Sequence, residues 1–158
     1  GSVAMFAAHP ELHDPAAVLY DKEAARLDVL EAKHRAQTTY ISLLAPFVGA
    51  AIGAGLNAAD LVATLLSVWA GVHLLFSFVL ATLGVTSRPV HVLTRLDLNN
   101  AAAATDVGAW LAARRVQLSE FNEPIATQQS NATWAGSRSI MWVIILLSWS
   151  GMRLFFVL

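Results

Sequence analysis

Two apolar blocks dominate the middle of the chain and are separated by a short polar break. Between residues 38 and 87 the only Asp, Glu, Lys or Arg is Asp60, which lies in the break at 57–60. The blocks at 40–56 and 61–85 hold about 17 and about 25 residues, which at ~1.5 Å per residue suffices to cross a hydrocarbon core of ~30 Å. This pattern predicts a transmembrane helical hairpin.

A third apolar block at 140–158 contains Arg153 as its one charged residue. With 56% apolar and 13% charged residues, the chain is also too apolar for a soluble domain of 158 residues. We therefore predict an all-α integral membrane protein with three transmembrane helices. The predicted divisions are a cytoplasmic N-terminal helix at 1–39, the hairpin at 40–85, a cytoplasmic helical segment at 86–138 and the third span at 139–158.

Helix start and stop signals lie on both sides of the hairpin. Asp14 and Pro15 predict the start of a helix that runs on into the first span, where Pro46 is expected to kink it. An Ala-rich helix is predicted at 96–118 with an interruption at Gly108, and Glu123-Pro124 predicts the start of a helix that continues into the third span.

The distribution of Lys and Arg residues predicts how the chain is oriented across the membrane. Nine of the ten Lys and Arg residues lie outside the predicted spans and on one side of the membrane: Lys22, Arg26, Lys33, Arg35, Arg88, Arg95, Arg114, Arg115 and Arg138. Because cytoplasmic loops carry an excess of such residues, the N-terminus and 86–138 are expected in the cytoplasm, with the turn at 57–60 outside.

Small residues in the first span form a candidate packing surface. Ala45, Gly49 and Gly53 are four apart and share one helix face, which includes a Gly-x-x-x-Gly motif. Two interpretations remain open: packing against the second span of the same chain, or self-association between chains.

Three ionisable residues are candidates within or beside the spans. His73 lies near the middle of the second span, where it is either functional or a neutral imidazole bonded to a helix carbonyl, Ser42 or Ser77. Asp60 and Arg153 are both expected at the outer end and are predicted to pair, within or between subunits, unless Arg153 extends alone to the headgroups.

Motifs for catalysis and metal binding are missing from the sequence. It has no cysteine, no phosphate-binding glycine loop, no His-Glu-x-x-His and no Gly-x-Ser-x-Gly, so we expect no enzyme activity, no cofactor and no metal site. His9 and His13 are four apart but flank Pro10, which disfavours a shared metal.

A basic cluster is the candidate ligand site outside the spans. Arg88, Arg114 and Arg115, together with Arg95, could form a pocket for a nucleotide or an inositol-phosphate-like headgroup. The alternative is that these charges are solvated at the membrane interface and set the topology.

The layout resembles the small membrane effectors of bacterial antiphage signalling, the Pycsar effectors and related SLATT-type proteins. The similarity lies in 32–36 (AKHRA), 40–44 (YISLL) and 87–89 (SRP), followed by a helical segment and a final span, whereas 99–104 (NNAAAA) replaces an aromatic-rich segment. The resemblance implies a homo-oligomer of the bacterial inner membrane that impairs membrane integrity when a cyclic nucleotide binds. It implies no binding to nucleic-acid polymers.

Two other classes of function fit the same sequence. A membrane anchor or scaffold would recruit a soluble partner through 92–136. A small channel or transporter subunit would line a path with polar residues of the second span, for which the candidates are His73, Thr64, Ser67 and Ser77.

Overall fold

Helices form all the regular secondary structure of the described residues. The computed structural model describes residues 2–85 and 91–157. Five α-helices and one short 3-10 helix occur in these ranges: Ser2–Ala8 (α1), the 3-10 helix Pro10–Leu12, His13–Asn57 (α2), Leu61–Val85 (α3), Arg95–Ala102 (α4) and Val107–Val157 (α5). The predicted all-α class is confirmed for these residues, which include no strand.

Three of the helices are long and apolar enough to cross a membrane, namely α2, α3 and α5. They contain 45, 25 and 51 residues, which correspond to lengths of about 68, 38 and 77 Å. Helix α3 has the bounds of the second apolar block. Helices α2 and α5 are longer than a hydrocarbon core requires, so each includes a polar portion as well as an apolar one.

Two predicted helix boundaries are wrong. Pro124 does not start a helix but lies inside α5, where its ring removes only one backbone donor. The next residues, Ile125 and Ala126, are buried against Leu27 and Leu30, and this packing holds the helix together across the proline. The predicted interruption at Gly108 occurs instead at 103–106, before α5 begins.

The described residues divide into two units, and α2 and α5 contribute to both. Unit 1 comprises the described residues of 1–30 and 88–129, and unit 2 those of 31–87 and 130–158.

Unit 1 is held together by small apolar contacts and by side chains that bond backbone groups. Phe6 packs with Ala16, Ala109 and Ala112. The amide of Asn122 pairs with both backbone groups of His91, accepting from its N–H at 2.9 Å and donating to its carbonyl at 2.8 Å. These bonds fix the segment before α4, which has no helix or strand ladder of its own.

Unit 2 has an apolar core formed by α2, α3 and the later part of α5. Its buried residues are Ile41, Val48, Ala70, Leu74, Ala81, Ile140, Val143 and Leu146. The turn between α2 and α3 closes with Ala59 in the left-handed region, at φ 51°, while the N–H of Asp60 donates to the carbonyl of Gly55 at 3.0 Å. Glycine is the usual residue at such a helix end.

Candidate functional site

The predicted stripe of small residues is exposed on α2. Ala45, Gly49 and Gly53 are all accessible, and a Cβ added at either glycine would meet no atom within 4 Å. At Gly49 and Gly53 the described residues of unit 2 provide no packing neighbour, which disagrees with the interpretation in which the stripe packs against the second span of the same chain. We call Ala45, Gly49 and Gly53 the small face.

The close packing expected of the small face occurs at other glycines. A Cβ on Gly55 would be 2.6 Å from Thr64 Oγ1 and 2.9 Å from the Thr64 backbone nitrogen, and a Cβ on Gly71 would be 3.3 Å from Val48 Cγ1. Sequence reasoning missed Gly55, although its position beside the turn places it opposite the first residues of α3.

Large apolar side chains cover the exposed surfaces of the other two long helices in unit 2. On α3 they include Leu65, Trp69, Leu75, Phe76 and Leu83, and on α5 they include Met141, Trp149, Phe155 and Phe156, all of them more than half or about half exposed. Large apolar side chains are also exposed on α2, at Leu43, Phe47 and Leu56, so the small face is a stripe along part of that helix.

Asp60 and Arg153 are brought together within one chain, as the sequence predicts. The Nε–H of Arg153 lies 2.9 Å from Oδ1 and 2.8 Å from Oδ2 of Asp60. Asp60 also caps α3, since its Oδ1 accepts from the N–H groups of Val62 and Ala63 at 3.1 Å. The bond from Arg153 is the main cause that lowers the pKa of Asp60, and the bond from Ala63 is the next.

His73 packs between aromatic rings rather than against hydroxyl groups. Its ring lies edge-on to Trp69 at 5.5 Å and stacks with Trp142 at 6.5 Å between centroids. The two serines expected as partners donate elsewhere: Ser77 to the carbonyl of Gly136 at 3.1 Å, and Ser42 to the carbonyl of Thr38 at 3.0 Å.

The two buried serines of α3, Ser67 and Ser77, also face a neighbouring helix instead of an open path. Ser67 is fully buried, and its hydroxyl lies 2.7 Å from that of Ser150. Ala70, Leu74 and Val143 are buried in the core that separates Ser67 from Ser77 along α3. Within the described residues of unit 2, these polar groups do not form a continuous path.

A polar layer, buried at His34, Gln37 and Thr133 and exposed at Ser137, joins α2 to α5 at the beginning of unit 2. The Gln37 amide nitrogen donates to the carbonyl of Thr133 at 2.7 Å and to Ser137 Oγ at 2.9 Å. His34 is fully buried, with Nε2 3.1 Å from Thr133 Oγ1. We call His34, Gln37, Thr133 and Ser137 the polar layer. Sequence reasoning missed it, since its residues are some 100 positions apart.

Arg114 lines a groove in unit 1 but is already paired. Its Nε–H donates to Asp97 Oδ1 at 3.0 Å and its Nη1–H to Gln117 Oε1 at 2.7 Å. Asp97 also closes a capping box with Thr94 at the start of α4. The Thr94 N–H is the main cause that lowers the pKa of Asp97; burial opposes it, and Arg114 adds to it.

The groove has a volume of about 1150 Å³ and is bordered by α1, α4 and the beginning of α5. Its charged side chains are the carboxylates of Asp97, Asp106 and Glu120 and the guanidinium of Arg114, and Trp110 supplies an aromatic wall. Arg115 does not line it, and Arg88 lies outside the described residues. Among the described residues the groove therefore has three carboxylates and one arginine, which gives it more negative than positive groups.

The histidines at the beginning of the chain have separate partners. His9 Nδ1 lies 3.0 Å from Glu11 Oε1, whereas His13 Nε2 lies 2.8 Å from the carbonyl of Phe6. In the part of the chain that the structure describes, no group of three His, Asp or Glu side chains is placed to hold a metal ion.

Comparison with protein-family models, with curated proteins and with solved structures gives no match. The functional argument therefore rests on the contacts of this chain.

Proposed function

We propose that this protein is a homo-oligomer of the bacterial inner membrane that assembles through the small face of α2 and impairs membrane integrity in response to a cytoplasmic signal. The observation that carries the proposal is the unpartnered small face, where a Cβ added at Gly49 or Gly53 meets no atom within 4 Å. In a bilayer, small residues allow helix backbones to approach closely, whereas large apolar residues are suited to lipid contact.

A pore between copies agrees better with the contacts than a pore within one chain. Ser67 and Ser77 are buried and bonded to α5 or its backbone, and the core between them is apolar. Conduction through one chain would require breaking that core. Assembly of several chains leaves it intact and places the leakage path at the interfaces, as expected of an antiphage effector that damages the membrane.

The groove of unit 1 is where we propose that the signal binds. Its volume suits a ligand of nucleotide size, and Trp110 could stack on a base. A phosphate would have to compete with Asp97 for Arg114, because these two side chains are paired in the structure. A ligand acts as a trigger only if it binds one state more tightly, and a change in the Asp97–Arg114 pair would supply such a difference.

The self-association is tested by native mass spectrometry of the protein in nanodiscs or mild detergent. Replacing Gly49 and Gly53 together by Leu is expected to convert a closed oligomer into monomers, because two isobutyl groups would separate the facing backbones. Gly151→Leu is the matched control, since a Cβ there also meets no atom within 4 Å but lies on α5. A monomer in the unmodified protein would contradict the proposal, as would an oligomer that survives the double substitution.

The effector activity is tested by release of a trapped dye from vesicles of bacterial lipid. We expect release to increase when the candidate signal, a 3′,5′-cyclic pyrimidine or purine nucleotide, is added, and to stay at background for the double leucine variant. An oligomer that never releases dye with any of these nucleotides would contradict the effector function while leaving the assembly intact.

A membrane anchor that recruits a soluble partner is the second candidate. It is favoured by Leu96 and Leu98, which are 67% and 54% exposed on the short helix α4 outside the apolar blocks. Such a protein would bind its partner without any dye release, and Leu96→Ser with Leu98→Ser would abolish the recruitment.

A further inference from the structure

The rotation of α2 about its own axis decides whether the small face is exposed. Gln37, Ile41 and Val48 are buried at 4%, 6% and 6% exposure. Ala45 and Gly49 lie about 40° and about 100° around the helix axis from Ile41 and Val48, on the exposed side of the same helix. Because one residue corresponds to about 100° of rotation, a turn of α2 by one position would bring Gly49 close to where Val48 now packs.

Apolar packing by itself selects this rotation weakly in a bilayer. Lipid tails are as apolar as the side chains of the core, so burying Val48 rather than Gly49 gains little from the hydrophobic effect. The rotated arrangement would moreover place a Gly-x-x-x-Gly motif against the same chain, which is a favourable packing. The close approach of Gly55 to Thr64 fixes α2 beside the turn, so what remains to be fixed is its other end.

The polar layer supplies directional bonds at the end of α2 away from the turn. One amide nitrogen of Gln37 reaches two acceptors on α5, at 2.7 and 2.9 Å. Gly136 leaves the room for it, since a Cβ there would be 3.1 Å from Gln37 Oε1. The next residue, Thr38, cannot take over this role without losing its own bond, because its hydroxyl donates to the carbonyl of His34 at 3.1 Å.

We propose that the polar layer is a rotational lock that keeps the small face of α2 turned outward and available to a second copy of this chain. The turn at 58–60 holds the other end of α2, so the two ends together fix its rotation. This inference deepens the proposed function, since the lock regulates the surface through which the chains are proposed to assemble.

The lock is built so that it can be released. Gln37 Oε1 is buried and has no hydrogen-bond partner among the described residues. A desolvated acceptor without a partner disfavours the locked state, and an arrangement that satisfies it would compete. Two arrangements of similar free energy are what a switching element requires.

The rotation can be measured with engineered disulfides, because the chain contains no cysteine. Val48→Cys with Gly71→Cys is expected to form a disulfide within the chain, since a Cβ on Gly71 would be 3.3 Å from Val48 Cγ1. Gln37→Leu removes the two bonds of Gln37 with little change in size and leaves the contact between His34 and Thr133 in place. We expect it to lower the yield of this disulfide several-fold.

Ser67→Cys with Ser150→Cys is the matched control for folding. The two hydroxyl oxygens are 2.7 Å apart and join α3 to α5, so rotation of α2 should not affect this pair. The proposal is overturned if Gln37→Leu leaves the yield of the Val48–Gly71 disulfide unchanged. It is also overturned if that disulfide fails to form when Gln37 is present.

A second variant applies if Gln37→Leu also abolishes the control disulfide and therefore misfolds. Gly136→Ala keeps every polar group but pushes against the Gln37 amide, and should lower the yield of the Val48–Gly71 disulfide by a smaller factor. No change in that yield would refute the lock.

Both disulfides form within one chain, so these results do not depend on self-association. Disulfides between chains at Gly49→Cys report on the proposed function separately: their loss in Gln37→Leu is expected, and their absence at the start counts against assembly alone.

Discussion

Glycine has opposite surroundings on the two sides of α2. Gly55 lies so close to α3 that an added Cβ would be within 3.0 Å of three atoms of Thr64, two of them backbone. Gly53, two residues earlier, has open space, as has Gly49. The same residue type therefore allows close packing within the chain at one position and leaves a surface without a neighbour at the other.

This difference separates what stabilises the chain from what is available to a second copy. The inner side of α2 is fixed by shape at Gly55, by the core and by the polar layer. The outer side contributes nothing to unit 2 through its glycines. Substitutions on the inner side should therefore change folding, and those on the outer side should change assembly.

The largest expected effect comes from alanine at the two neighbouring glycines. Gly55→Ala should destabilise the protein by about 1–3 kcal/mol, because the new methyl group meets the Thr64 backbone. Gly53→Ala should instead stabilise the helix by about 0.5–1 kcal/mol. Thermal unfolding in dilute detergent would show Tm shifts of opposite sign; equal shifts would contradict the comparison.

The stability that Asp60 provides at the turn between α2 and α3 should decrease in acid. The pKa of Asp60 is lowered chiefly by Arg153, so its stabilising contribution is present above its ordinary pKa of 3.8 and is lost as pH falls through the lowered value. Asp60→Asn keeps a good cap for α3 but removes the charge. We expect a lower Tm than wild type near neutral pH and a difference that disappears in strong acid. A constant difference across this range would argue against the ion pair.

Two serines, one buried between helices and one exposed on the outer side of α2, allow a test with a smaller expected effect. Ser67 is buried against Ser150, so Ser67→Ala should cost about 0.6 kcal/mol, the average for polar contacts between membrane helices. Ser42 is exposed and bonds only its own helix, so Ser42→Ala should leave Tm nearly unchanged. A greater loss for Ser42 would mean that the outer side is packed in the isolated chain.

The smallest expected effect is a gain in stability at the turn between α2 and α3. Ala59 has φ 51°, a conformation that costs an L-residue roughly 1–2 kcal/mol. Ala59→Gly removes this strain but adds flexibility to the unfolded chain, for a net stabilisation of about 0.5 kcal/mol. Ala58→Gly, without a positive φ to relieve, should lower Tm slightly. The explanation fails if both glycine variants shift Tm in the same direction.

Length and apolar pattern predict the long helices well. The bounds of α3, the turn and the continuity of α2 follow from apolar runs and from the lack of breakers before Pro46. The pair of Asp60 with Arg153 also follows, because both charges had to leave the apolar region at the same end. Local signals failed at Pro124, where packing of Ile125 and Ala126 outweighs one missing backbone bond.

Rotation about a helix axis is what the sequence leaves undetermined. Gly49, Gly53 and Gly55 are indistinguishable by composition, and only the direction in which α2 faces α3 tells them apart. The polar layer likewise joins residues from distant parts of the chain. In unit 1, the three candidate arginines suggested a basic pocket, but Asp97 pairs with Arg114 and changes the charge of the groove.

The contact between Gly55 and Thr64 also constrains how this protein can vary over generations. Any single substitution at Gly55 adds at least a Cβ and is opposed by the folding of each molecule alone, whatever its neighbours do. At Gly49 and Gly53 an added Cβ meets no described atom of the chain, so any cost of the same mutation would arise only in the proposed assembly. The frequency of substitutions at Gly49 and Gly53, compared with their rarity at Gly55, would therefore show whether assembly is under selection in a lineage.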